Sequence, residues 1–235
     1  MFFNYIILLT GQSNALGVGG QYDQMCIDDQ PDPRIWGYVS SNNYWTVFDL
    51  RIQVGSKKPG YQCIAFHFAK KILIKNPSWK IGIIVCALSN QSITRWIHPF
   101  TCKCADEHLQ KGEHSAIDTG DIFNWSLLMS DLAIGQTSNT KINLFMWHQG
   151  EADHMESLCW YYQRLAKMLK QYRKNDLFSK CQVICAQLYE NKSTSKMNDV
   201  FKTELNWIFL KLIQKSTDNV HYSHFSFPTE IKIKW

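Results

Sequence analysis

The run FFNYIILLTGQSNALG, residues 2–17, decides the fold. Its first eight residues are apolar apart from Asn4 and Tyr5, and they lead without a spacer into a turn set off by Gly11 and Gly17. A short apolar run ending in a glycine turn reads as a strand buried on both faces. Three more runs rich in Ile, Val and Phe recur at residues 80–87, 142–147 and 181–188, each bounded by polar or turn-forming residues. The intervening segments carry helical spacing: 61–75 with Ile64, Phe68 and Ile72, 121–134 with Trp125, Leu128 and Leu132, then 157–172 and 198–214. Strands alternating with helices predict one α/β domain over residues 1–235, a three-layer α/β/α sandwich whose mostly parallel sheet has about five strands. Residues 21–59 and 100–120 are polar excursions, the first expected to carry short irregular strands.

The composition excludes several classes. With 235 residues, 45% hydrophobic and 19% charged, the chain is long enough to bury one core without staples and is neither disordered nor a coiled coil. The formal charge of +5 is a mild bias. The basic residues Lys167, Lys170, Arg173 and Lys174 fall at helical spacing and read as a solvated helix face, so no nucleic-acid partner is expected. Residues 2–9 lack a basic leader and a small-residue cleavage site, and no segment reaches the roughly 18 apolar residues of a spanning helix. A cytoplasmic protein with no membrane partner is therefore expected, with secretion the alternative if the sequence is trimmed. Sequons at Asn90, Asn124 and Asn191 matter only in the exported case. The eight cysteines read as free thiols of a reducing compartment. His98, Cys102, Cys104 and His108 are zinc-type ligands without CxxC spacing, and no metal is expected there. A phosphate-cradling reading of Gly11 to Gly20 fails on glycine spacing and on the missing Gly-Lys-Ser/Thr.

In parallel sheets, ligand chemistry gathers beyond the carboxyl ends of the strands. Ser13 sits there, in a turn that exposes its hydroxyl and offers backbone N–H groups to a developing anion. The strand at 142–147 ends in WHQGEAD, residues 147–153, where Gln149 can donate to an oxyanion and Glu151 or Asp153 can brace the Ser13 turn. Near the C-terminus Asp218 precedes His221 by three residues, a spacing that lets a carboxylate orient an imidazole as general base; His224 lacks the upstream acid.

These segments resemble the SGNH hydrolases, within them the sialate O-acetylesterase-like group that includes carbohydrate esterase family six. The likeness lies in GQSNALG at 11–17, WHQGEAD at 147–153 and DNVHYS at 218–223, with KIGIIVCALSNQSITRW at 80–96 similar to a further family segment. The resemblance implies Ser13 as nucleophile, His221 as general base and then acid, and Asp218 as its orienting carboxylate. It implies an oxyanion hole from Ser13, Asn90 and Gln149, with Gln12, Asn14, Glu151 and Arg95 binding substrate or supporting the site. It implies hydrolysis of an acetyl ester on a sugar, the acetylated carbohydrate being the partner and no cofactor being needed. The chain departs from the family at Ser89-Asn90, which stand where a glycine pair is usual. Asn tolerates the left-handed conformation better than most residues. The alternative is a weakened or inactive carbohydrate-binding protein on the same fold. Arg95 is a candidate for a sialic acid carboxylate, and Trp36, Tyr38 and Trp45 for stacking on a sugar ring, although each reads first as a core or surface residue.

Overall fold

The computed structural model describes residues 1–18, 23–97 and 122–186. Six strands form one sheet: β1 (Tyr5–Gly11), β2 (Ile35–Val39), β3 (Tyr44–Val47), β4 (Ile81–Ala87), β5 (Leu144–His148) and β6 (Gln182–Cys185), in the order β3-β2-β4-β1-β5-β6. All pairings are parallel except β2 with β3. The four expected strands are all present. The sheet exceeds the expected five because the first excursion supplies the β2–β3 hairpin, whose turn uses Asn43 at φ 53°.

Both faces are covered. Alternate residues of β1 point to opposite sides, Ile6 and Leu8 into one cluster and Ile7 and Leu9 into the other. Helix α1 (Ile64–Lys75) packs through Phe66, Ala69 and Leu73 against the Ile7 side. Helices α2 (Ile122–Gly135) and α3 (Leu158–Arg173) pack against the Ile6 side. The sandwich is thus α/β/α. Helix α3 buries Tyr161, Leu165, Met168, Leu169 and Tyr172, one stripe at helical spacing, and leaves Lys167 and Lys170 exposed as expected, with Lys174 exposed just beyond it. Arg173, expected on the same face, is half-buried and its Nη1 donates to Phe178 O at 2.9 Å.

Helix α2 corrects the sequence reading. Leu128 and Leu132 lie exposed, while Ser126 and Ser130 are fully buried. The serines satisfy themselves inside: Ser126 Oγ donates to Phe123 O at 2.8 Å and pairs with Tyr172 Oη at 2.5 Å, and Ser130 Oγ donates to Ser126 O at 2.7 Å. Small hydroxyls bonded this way fit a core that the apolar pattern assigned to leucines. Tyr38 and Trp45 take the core place that the sequence favoured for them over stacking on a sugar. Both are buried in the core, with Trp45 4.6 Å from the Phe3 ring and its Nε1 donating to Ala133 O at 3.0 Å, so neither faces a sugar.

The expected helix at 198–214, the excursion at 100–120 and the His98/Cys102/Cys104/His108 group lie outside the described residues. Cys26, Cys63, Cys86, Cys159, Cys181 and Cys185 are free. No helix among the described residues is long and apolar enough to cross a membrane.

Candidate active site

Strand β1 stands where the strand order turns back: its neighbour β4 leads to one side and β5 to the other. The crevice for chemistry opens beyond the carboxyl end of such a strand, and Ser13 lies two residues past Gly11. Gly11 is required by packing. Its φ is 134°, and a Cβ there would sit 2.0 Å from His148 O. The close approach lets Gln12 N–H donate to His148 O at 3.0 Å and Leu88 N–H to Gly11 O at 2.9 Å. Three segments thus meet at one point. Beyond it Leu16 N–H reaches Gln12 O at 3.1 Å and Val18 N–H reaches Ser13 O at 3.0 Å, winding residues 12–18 into tight turns around a half-buried Ser13. Gly17, at φ 78°, allows contact with the backbone of Gln62.

Glu151 secures this turn from the end of β5. Its Oε2 accepts from Gln12 Nε2 at 2.6 Å and its Oε1 from Asn14 Nδ2, so one carboxylate holds the residues before and after Ser13. Burial pushes the Glu151 carboxyl above its ordinary pKa, with the two amide donors and the residue's own backbone opposing the rise. Gln12, Asn14 and Glu151, all expected near the site, are therefore brought together.

Gln149 is fully buried and tied on every side. Its Nε2 donates to Asp153 Oδ2 at 2.5 Å and to Gln91 O at 3.1 Å, while Tyr161 Oη lies 2.8 Å from both its O and its Oε1. Both amide hydrogens are committed, so a bond from Gln149 to an oxyanion requires release of one of them. Asp153 also accepts from Ile93 N–H at 2.8 Å. The strand β5 end and the 91–93 turn are consequently one bonded unit. Trp96 extends it, its Nε1 donating to Thr10 Oγ1 at 2.8 Å and its ring meeting Trp147 edge-on at 5.1 Å.

Asn90 is exposed and adopts φ 56°, the left-handed conformation a glycine would take. Among the described residues the backbone N–H groups of Ser13 and Asn90 have no hydrogen-bond partner. Arg95 is 6% exposed, and its Nη1 donates to Gln91 Oε1 at 2.5 Å. His148, beside the turn, is also buried; burial lowers its imidazole pKa to about 4, and it is neutral.

Asp218 and His221 lie outside the described residues. The described part of the site offers a half-buried hydroxyl, two unpaired backbone donors and a rigid brace, the parts an acyl-transfer site needs around its nucleophile. Among the described residues no group of three His, Cys, Asp or Glu could hold a metal. Sequence reasoning missed Gln91 and Tyr161. Tyr161 reads as one more apolar residue of a buried helical stripe, and Gln91 lies in the 80–96 segment between Asn90 and Arg95 with nothing to show that its own side chain is bonded there.

A family model described as carbohydrate esterase, sialic acid-specific acetylesterase, matches residues 4–232. No curated protein matches the chain. Among solved structures, a protein of Arabidopsis thaliana superposes with a TM-score of 0.65 at 17% identity, covering 87% of this chain and 82% of its own. The protein named NanS gives a TM-score of 0.54 at 16% identity over 92% of this chain and 74% of its own. A carbohydrate acetylesterase from Xanthomonas citri gives 0.50 at 14% identity over 78% and 41%. At these identities the likeness is one of fold.

Proposed function

Since the chain belongs to the sialic acid-specific acetylesterase family of carbohydrate esterases, we propose that it removes O-acetyl groups from a carbohydrate through an acyl-enzyme on Ser13. One observation carries the reading: the turn holding Ser13 is clamped on both sides by Glu151, and among the described residues the backbone N–H groups of Ser13 and Asn90 have no hydrogen-bond partner.

Ser13 Oγ attacks the acetyl carbonyl while His221, oriented by Asp218, takes its proton. The carbonyl oxygen becomes an oxyanion held by the Ser13 and Asn90 backbone N–H groups. Gln149 serves as third donor by exchanging its longer bond, the one to Gln91 O, for the oxyanion. The sugar alkoxide leaves with the proton from His221. Water, deprotonated by the same imidazole, then attacks the acetyl-serine; the bond from the acyl carbon to Ser13 Oγ breaks, His221 returns the proton to Oγ, and acetic acid leaves as acetate and a proton. No step calls on a cofactor.

The inactive binding-protein reading is motivated by Ser89-Asn90. The left-handed φ of Asn90 supports the active reading, because it leaves the backbone conformation open to glycine intact despite the side chain. The test is hydrolysis of a chromogenic acetyl ester by the wild type and Ser13→Ala, both checked for folding. Activity lost in the variant is the expected result. Equal rates, or none in a folded wild type, would end the serine esterase reading.

A further inference from the structure

Gln91 follows Asn90 directly and is fixed through three separate groups. Its carbonyl accepts from Gln149 Nε2 at 3.1 Å, its Oε1 accepts from Arg95 Nη1 at 2.5 Å, and its Nε2 donates to Ser89 O at 2.9 Å. Two residues on, Ile93 N–H is bonded to Asp153. Asn90 itself is exposed and stands at φ 56°. Asn adopts the left-handed conformation more readily than other non-glycine residues, but in an exposed loop it exchanges with negative φ unless its neighbours hold it. Here the hold comes from the bonds of Gln91.

We propose that Gln91, locked by Arg95, is the positioning residue that aims the Asn90 N–H at the oxyanion. The inference rests on the esterase reading above and assigns Arg95 to the frame of the site rather than to the substrate. The geometry favours that assignment. The guanidinium is buried, and a sugar carboxylate approaching Nη1 would have to displace a 2.5 Å bond to Gln91 Oε1. With the bond intact, residues 89–91 form a short loop closed on itself by Gln91 and anchored by Arg95, a hold that remains when Gln149 turns its Nε2 from Gln91 O to the oxyanion. Without it, Asn90 is released to conformations with negative φ, which turn its N–H elsewhere.

The experiment compares Gln91→Ala, Gln91→Leu, Gln91→Glu and Arg95→Met with the wild type on neutral 4-nitrophenyl acetate and on an O-acetylated sialic acid. Removing an oxyanion donor outright costs about 100- to 1000-fold in kcat. A donor loosened but not removed should cost less, about 10- to 100-fold in kcat for Gln91→Ala and Arg95→Met, equally on both substrates and with KM nearly unchanged. Gln91→Glu keeps the acceptor for Arg95 and should retain more of the rate than Gln91→Leu, which has a similar volume but can bond neither Arg95 nor Ser89 O and should fall as Gln91→Ala does; a general packing role would spare Gln91→Leu. Melting temperature and circular dichroism check the fold; if Gln91→Ala does not fold, Arg95→Met and Gln91→Glu decide. An unchanged kcat in folded variants overturns the proposal. So does a rise in KM confined to the sialic acid in Arg95→Met, which would make Arg95 a substrate contact. A wild type without Ser13-dependent activity removes the esterase reading and this inference with it, an outcome distinct from an active wild type whose variants are normal.

Discussion

Glu151 Oε2 accepts a 2.6 Å hydrogen bond from Gln12 Nε2 across 139 residues of chain, and this contact joins the turn after β1 to the turn after β5. Gln12 is 3% exposed, so its amide has no water to fall back on. Glu151→Ala should destabilise the protein by about 2 kcal/mol, since a buried donor left unpaired costs ~1–3 kcal/mol. It should also lower kcat, because both flanks of Ser13 lose their anchor. Glu151→Gln should be milder. Gln12 Oε1 has no partner among the described residues, and a flip of the Gln12 amide would turn that oxygen towards the new NH2. Urea unfolding and ester hydrolysis of both variants check the order; equal losses would show that the clamp acts by charge and not by hydrogen bonding.

Two glycines separate space from conformation. Gly11 and Gly60 both have positive φ, 134° and 79°, yet a Cβ at Gly11 would overlap His148 O at 2.0 Å while one at Gly60 would meet nothing within 4 Å. Gly60→Ala should cost only the left-handed backbone penalty, about 1 kcal/mol, and leave ester hydrolysis unchanged. Gly11→Ala must push β1 away from β5 and should cost about 4 kcal/mol or prevent folding. Its loss of activity should exceed its loss of folded protein, because the displaced backbone carries Gln12 and Ser13. Thermal melts beside activity per folded molecule measure the difference.

The sheet was legible because strands buried on both faces leave unbroken apolar runs, and 80–87 needs no partner to be recognised. Helix α2 was misread for the opposite reason: Ser126 and Ser130 are core residues whose hydroxyls are satisfied within the packed layer, which a hydrophobic pattern cannot register. The adjacency of Ser13 and Glu151 followed from two motifs at the carboxyl ends of neighbouring strands. What the sequence hid was the direction of side-chain bonds. Gln149 and Arg95 look like groups offered to a substrate, yet in the folded chain Gln149 donates to Asp153 and Arg95 to Gln91. A linear motif specifies which residues meet, and only packing specifies which hydrogens are already taken.

His148 gives the pH prediction. It lies on β5 opposite Gly11, is 2% exposed, and its Nδ1 has no partner among the described residues. Burial holds its pKa at about 4, below the ordinary 6.5, so the folded protein resists the proton that the unfolded chain accepts. Between pH 6.5 and 4 the unfolded state binds more protons than the folded one, and stability falls as the pH falls. The contribution is complete above pH 6.5 and is lost towards pH 4. Its full size is about 3 kcal/mol at ~1.4 kcal/mol per unit. His148→Leu keeps an apolar side chain of similar volume and cannot be protonated. Urea unfolding followed by tryptophan fluorescence from pH 4.5 to 7 should therefore give a shallower slope for the variant than for the wild type, by up to one proton. Parallel slopes would mean that the imidazole takes up its proton in the folded state, through a water or a rotation that reaches Nδ1.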